Sequence, residues 1–332
     1  MKEYCQFLIA TIINFTQTYM ADHNPVFSHD AITRYLVDDD VSPSAVWQSI
    51  GHLVRRSGNA CLIFDDNVLD KRHSFNMELV RPQYSGNEHG VVKGIGVVNC
   101  LYVNMDANEH WIIDWRIYDG DGKNKLDHVR DMLDNAIAAK SLPFRAVLMD
   151  SWYATKDLMM HRTIHKAGKL FYCPLKANRK VDGSGGKNPY KAVSSLDWFD
   201  DEMLRGKLVK IHGLPMGYKV KLFRVAATNR TEYVATNDLS QDSAVAVQDM
   251  CAIRWKAEQY HREGKHTLGL EKWQCRKARA QRNHIGCAIL AWHCLTSLAR
   301  KLGESIYALK NGLLSEYMKK ELKNPSIPFS LA

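Results

Sequence analysis

The sequence predicts an α/β chain: a mixed sheet flanked by helices, with a helical segment ahead of it and a small β-rich insertion within it. Three observations predict this. Apolar residues recur at helical spacing over residues 1–57 and again over 240–305. Between them, residues 58–178 read strand, strand, strand, helix, strand, helix, strand. Residues 179–239 then switch to short strands separated by turn residues.

The elements follow in order. Ser28 caps the periodic "SHDAITRYL", and Ser42 with Pro43 opens "SPSAVWQSIGHLVRR". Two short helices with a turn between them are either a helix-turn-helix or plain packing helices, and residues 1–57 are the candidate DNA-binding domain. "ACLIFDDNVLD" is a short apolar run that stops at acids, and "VVKGIGVVNCLYVNM" and "HWIIDWRIYDG" are strands rich in Val, Ile and aromatics. "LDHVRDMLDNAIAAK" returns to a helical period, and "FRAVLMD" is a buried strand ending at Asp150. "SWYATKDLMMHRTIHKAG" reads as helical and "KLFYCPLK" as a strand. "VDGSGGKNPY" is the most loop-like stretch. The helix containing Glu258 comes next, then the apolar "HIGCAILAWHCLTSLARKL". Residues 306–332 read as a C-terminal helix and tail, loose at "NPSIPFSLA".

Composition narrows the function. Lys+Arg 45 against Asp+Glu 36 leaves a formal charge of +9, which favours a polyanionic partner such as nucleic acid. The eight cysteines are scattered without a CxxC pair, as expected of free thiols in a reducing cytoplasm and not of a disulfide scaffold or zinc knuckle. The apolar "FLIATII" is too short for a membrane span and lacks a cleavage site after it, so a cytoplasmic, non-membrane protein is expected. His161 and His165 stand at i, i+4 but no Glu follows the first and no third ligand is in sight, which argues against zinc. "GIG" at 94–96 lies inside a strand with no helix after it, so it is no dinucleotide fingerprint. "SGNEHG" reads as a hairpin turn, and "DDNV" departs from the aspartyl-phosphatase pattern at Asn67.

Three acids arrive from different elements. Asp65 follows "CLIF" and Asp150 follows "AVLM", where an abrupt acid after an apolar strand puts a carboxylate at a sheet edge or simply starts a turn. In "RWKAEQYHREGKHTLGLEKW", about 100° per residue places Arg254, Arg262 and Lys265 within roughly 40° of Glu258, while Ala257 and Tyr260 point away. An exposed i, i+4 Arg–Glu pair accounts for part of this pattern. A metal ligand among phosphate-binding bases accounts for all of it, because three carboxylates suit Mg²⁺ or Mn²⁺ and a pair of such ions cleaves phosphodiesters.

These residues resemble the DDE transposases of bacterial insertion sequences, the cut-and-paste group with a Tyr-x2-Arg-x3-Glu-x6-Lys helix signature. Arg254, Glu258 and Lys265 match that spacing, and Cys251 stands at the Tyr position. "LIFDDNVLDK" is similar to the first motif, with Asp65 or its neighbour Asp66 as ligand, and "VLMDSWYA" to the second, with Asp150. The resemblance covers about residues 60–300 and implies a ribonuclease H-like fold with Asp65, Asp150 and Glu258 as catalytic metal ligands. It implies two Mg²⁺ ions per site, with Mn²⁺ as a substitute, and DNA contacts from Arg254, Arg262 and Lys265. It further implies cleavage at terminal inverted repeats, joining of the 3′-hydroxyl to target DNA, and a nucleoid-associated homodimer in a synaptic complex. Trp198 is the candidate in the insertion for stacking on an unpaired base. A catalytically inactive DNA-binding relative and a structure-selective nuclease on the same fold are the alternatives.

Overall fold

A computed structural model describes the chain except residues 75, 87, 166, 187–189, 228–229 and 327–332. The end of the expected loose tail, part of the "GSGGKNP" loop and one residue of the "SGNEHG" turn therefore lie outside the described residues. Two compact units divide the chain: Gly51–Asn67 with Val97–Glu258, and Met1–Ile50 with Val68–Gly96 and Gln259–Ala332.

The unit that holds Gly51–Asn67 and Val97–Glu258 is built on a sheet. Its strands are β1 (Ala60–Asp70), β3 (Gly90–Asn104), β4 (Glu109–Tyr118), β5 (Ala146–Met149), β6 (Leu170–Leu175), β7 (Lys180–Asp182), β8 (Lys191–Ala192), β9 (Lys207–Ile211), β10 (Val220–Ala227) and β11 (Arg230–Thr236). Their order is β4-β3-β1-β5-β6-β11-β10-β9-β7-β8. β1, β5 and β6 run parallel, whereas β6, β11, β10 and β9 alternate in direction. β1, β3 and β4 followed by helix α5 (Lys125–Ala138), then β5 and β6, in the spatial order β4-β3-β1-β5-β6, is the ribonuclease H-like arrangement. α5 packs on β4, its N-terminus closed by a capping box between Asn124 and Asp127. β5 is four apolar residues, Ala146–Met149, all fully buried, as expected of a strand between two parallel neighbours. Beyond β6 the short strands of 180–236 extend the sheet, with α8 (Asp200–Arg205) and α9 (Ala244–Ala252) against β10.

Two local expectations change. β1 does not stop at its first acid but continues to Asp70, because Leu69 is buried and its side chain keeps the strand seated. Residues 151–165 are not one helix: Asp150 Oδ1 accepts the Trp152 and Tyr153 N–H groups at 2.7 and 3.2 Å, which makes a turn. Only two single-turn helices follow, α6 (Lys156–Met159) and α7 (Arg162–His165). His161 sits 3.8 Å from Asp134 and, among the described residues, belongs to no metal-holding group.

The other unit is helical around α11 (Ala278–Leu302), on which α1 (Lys2–Ala10), α3 (His29–Asp38), α4 (Pro43–Ile50) and α12 (Ile306–Lys323) pack; α2 (Gln17–Asp22) lies against α3. The Ser28 cap forms, its hydroxyl accepting the Ala31 N–H. Buried Asn283 organises the α3–α4 connection: its amide donates to the Leu36 and Asp39 carbonyls at 2.9 and 2.7 Å, and its oxygen accepts the Val41 N–H at 2.8 Å. α3 and α4 both pack on α11. His284 lies between the Tyr4 hydroxyl and the Gly269 carbonyl, stacked on Trp273, and burial pushes it down to about 3. Within this unit β2 (Arg81–Ser85) pairs with the start of β3. There Gly94 is required by close approach, since a Cβ would lie 2.6 Å from the Leu69 carbonyl oxygen. The "GIG" stretch is therefore explained by sheet packing. No helix among the described residues is long and apolar enough to cross a membrane.

Candidate active site

β1 and β5 pair in parallel with Phe64 opposite Met149, so the next residue on each path is an acid, Asp65 beside Asp150. Parallel neighbours lie about 4.8 Å apart, which puts the two carboxylates side by side. Asp150 Oδ1 is held by the Trp152 and Tyr153 N–H groups, and Asp65 Oδ1 accepts the Asp66 N–H at 2.9 Å. Burial, then the Asp150 charge, then Asp66, raise Asp65 from 3.8 to about 7, against the pull of Arg254. A carboxyl raised this far by burial, with two other acids adding to the shift, is a candidate functional group.

The neighbouring acid has a different role. Asp66 Oδ2 binds the Lys125 ammonium at 2.5 Å, and Asp66 Oδ1 accepts the Tyr153 hydroxyl at 2.6 Å. Both its oxygens are engaged, so Asp66 is held as a structural acid. Burial and the three surrounding acids push the Tyr153 phenol well up, so it stays a donor. Lys125 and Tyr153 escaped the sequence reading, although "DSWY" after Asp150 was the available signal.

The helix expected around Glu258 is shorter than its periodicity suggests. α9 ends at Ala252, and α10 runs only from Trp255 to Thr267 because Gly269, at φ 63°, breaks its continuation. Arg254 lies in the turn before α10, its N–H donating to the Cys251 carbonyl at 3.1 Å and its charge acting on Asp65. Cys251 is half-buried, and burial pushes its thiol up to about 12. Glu258 is on the first turn of α10 and exposed.

In the other unit, exposed Arg262 acts on Tyr307. Lys265 is committed: its ammonium binds Glu271 at 2.6 Å and the Val68 carbonyl at 3.0 Å. Trp198 in the insertion is half-buried, with Lys207 5.8 Å from its ring; Phe199 beside it is 71% accessible.

Asp65 and Asp150 fit a hard divalent cation. Both are oxygen donors, and Mg²⁺ is commonly held by one or two carboxylates together with water and substrate phosphate oxygens. Among the described residues, however, no three His, Cys, Asp or Glu side chains are arranged to hold one ion. Asp65 and Asp150 are the pair that strand register brings together.

Comparison with known proteins bears on this geometry. The family model described as "Transposase DDE domain" matches residues 74–294. Among solved structures, the chain is similar to a piggyBac transposase synaptic complex with hairpin DNA, at 13% identity and a TM-score of 0.45, over 98% of this chain and 72% of that one. It is also similar to endonuclease V from Bacillus subtilis, at 13% identity and a TM-score of 0.26, over 78% of this chain and 92% of that one. No curated protein matches the chain.

Proposed function

The chain belongs to the DDE transposase family, and from that premise we propose that it cleaves DNA at the terminal inverted repeats of its own element and joins the freed 3′-hydroxyl to target DNA. The observation that carries the reading is the side-by-side Asp65 and Asp150 pair on adjacent parallel strands.

Asp65 and Asp150 would hold a divalent ion, Mg²⁺ or Mn²⁺, with Glu258 as the third carboxylate of a site that takes two. When bound, such a pair activates the attacking oxygen and stabilises the leaving oxygen of a phosphodiester. The chain's own residues do the remaining work. The Trp152 and Tyr153 N–H groups fix the Asp150 carboxylate, leaving Oδ2 to face a ligand. Lys125 and Tyr153 neutralise and orient Asp66. Arg254 partly offsets the rise at Asp65 and offers a guanidinium to a DNA phosphate. Glu258 stands on an exposed helix turn, and catalytic contacts often tighten only in the substrate complex. Its approach is therefore assigned to the DNA-bound state.

Double-stranded DNA is the substrate and target, with Arg262, Lys265 and the helices of residues 1–57 as further candidate contacts. Trp198 remains the candidate base-stacking residue of the insertion. A homodimer would bring two ends into one synaptic assembly, in a cytoplasmic, nucleoid-associated protein.

The test is incubation of the full chain with Mg²⁺ or Mn²⁺ and DNA carrying both flanks of its own gene, with nicks mapped to the nucleotide. Nicks at the flank termini that need the metal and vanish in Glu258→Gln support the reading. Site-specific binding without metal-dependent nicking would replace it with a DNA-binding relative that has lost catalysis.

A further inference from the structure

Directly after Asp150 in the chain, Trp152 forms one wall of a cleft of about 390 Å³. Its other lining comes from the β6–β7 connection, with Lys176, Asn178, Arg179 and Lys180, and from His212 after β9. That volume falls within the about 300–1,000 Å³ range of small-ligand sites. Among the described residues no Asp or Glu lines it, although the chain carries 36 of them, and three of its lining residues are cations. The side chains of Lys176, Asn178 and Lys180 are exposed, and the Arg179 Nε is buried without a hydrogen-bond partner among the described residues. Trp152 is 46% accessible, unusual for an indole in a packed sheet protein. Its ring is braced rather than loose: Tyr153 meets it edge-on at 4.9 Å, and the Lys125 ammonium lies 5.8 Å from its centroid.

An aromatic face left open beside three acid-free cations is built for a ligand that has both a π-face and phosphates. We infer that this cleft binds a short unpaired nucleic-acid strand, with phosphodiesters on Lys176, Arg179 and Lys180 and one base stacked on Trp152. The inference rests on the reading of the chain as a DNA-cleaving enzyme. A duplex does not satisfy the geometry, because neighbouring bases already cover its π-faces and only edges and phosphates remain. Inorganic phosphate uses the cations but makes no use of Trp152. The Trp152 N–H that donates to Asp150 at 2.7 Å ties this wall to the candidate catalytic acid, so a strand seated here would run next to that carboxylate.

Fluorescence anisotropy of the full chain, in chelator so that nothing is cut, tests the inference. The probes are an oligothymidylate of about six nucleotides, within the usual single-strand site sizes, the same strand with abasic sugars, and a duplex of equal length. Trp152→Ala should weaken the base-bearing strand about 10-fold and leave the abasic strand unchanged, and Trp152→Phe should restore most of the loss. Lys176→Ala should weaken both strands alike and flatten the salt dependence by about 0.7 in log–log slope, one phosphate contact. Equal binding of the base-bearing strand by parent and Trp152→Ala would overturn the inference. So would an equal loss from Trp152→Ala on the abasic strand, or an equal loss on the duplex. The cleavage assay reads separately: nicking without this binding pattern removes the cleft and keeps the enzyme. The binding pattern without nicking removes the enzyme and keeps the cleft.

Discussion

Replacing Asp65 by Asn should stabilise the fold, and the gain should grow with pH. In the folded chain, burial and the Asp150 and Asp66 charges raise Asp65 from 3.8 to about 7. Between those values the folded state binds a proton that the unfolded state has released. Below pH 3.8 both states carry the proton and the site imposes no penalty. As pH rises through about 7 the folded state must accept the charge, and the stability that protonation contributes is lost. A span of roughly three pH units at about 1.4 kcal/mol each sets a ceiling of about 4 kcal/mol. Asn cannot ionise and closely matches the protonated acid in shape. The variant should therefore exceed the parent by about 2–4 kcal/mol near pH 8, with the difference closing towards pH 4. Urea midpoints in chelator across that pH range measure it. Millimolar Mg²⁺ should then stabilise the parent at pH 8 and leave the variant unmoved, because a ligand that binds only the folded state raises stability by mass action. Equal stability of the two proteins at every pH, or a variant less stable at pH 8, would show that Asp65 carries no such electrostatic load.

Two further outcomes test the scaffold. Lys140→Met should cost about 3 kcal/mol in denaturant unfolding, because it removes the 3.0 Å ammonium partner of Asp114, a carboxylate only 1% accessible, leaving Asn135 and Arg116 to hold a buried charge. Gly286→Ala should cost about 1–3 kcal/mol, since its Cβ would overlap the Val41 carbonyl where α11 passes the α3–α4 connection. A midpoint within error of the parent in either variant would contradict the packing described.

What the sequence determined by itself is local. The cap at Ser28, the apolar run that makes β5, the β3 and β4 strands and the long apolar helix α11 all follow from residue spacing. Periodicity and capping act over a few residues, so a linear reading captures them. The same reading identifies Asp150, because an acid that ends a run of buried residues stands out in one dimension. Tertiary structure decided which groups meet. Asp65 and Asp150 are neighbours only because β1 and β5 align in one parallel register. Asp66 is taken by Lys125 and Tyr153, 59 and 87 residues away, which no spacing rule anticipates. Lys265 fits a motif on paper, yet its charge is spent on Glu271 across the Gly269 turn. The open face of Trp152 depends on segments far apart in the chain lining one cleft. Buried charges and hydrogen-bond donors must find partners wherever the fold brings them, and that requirement is settled only when distant segments pack.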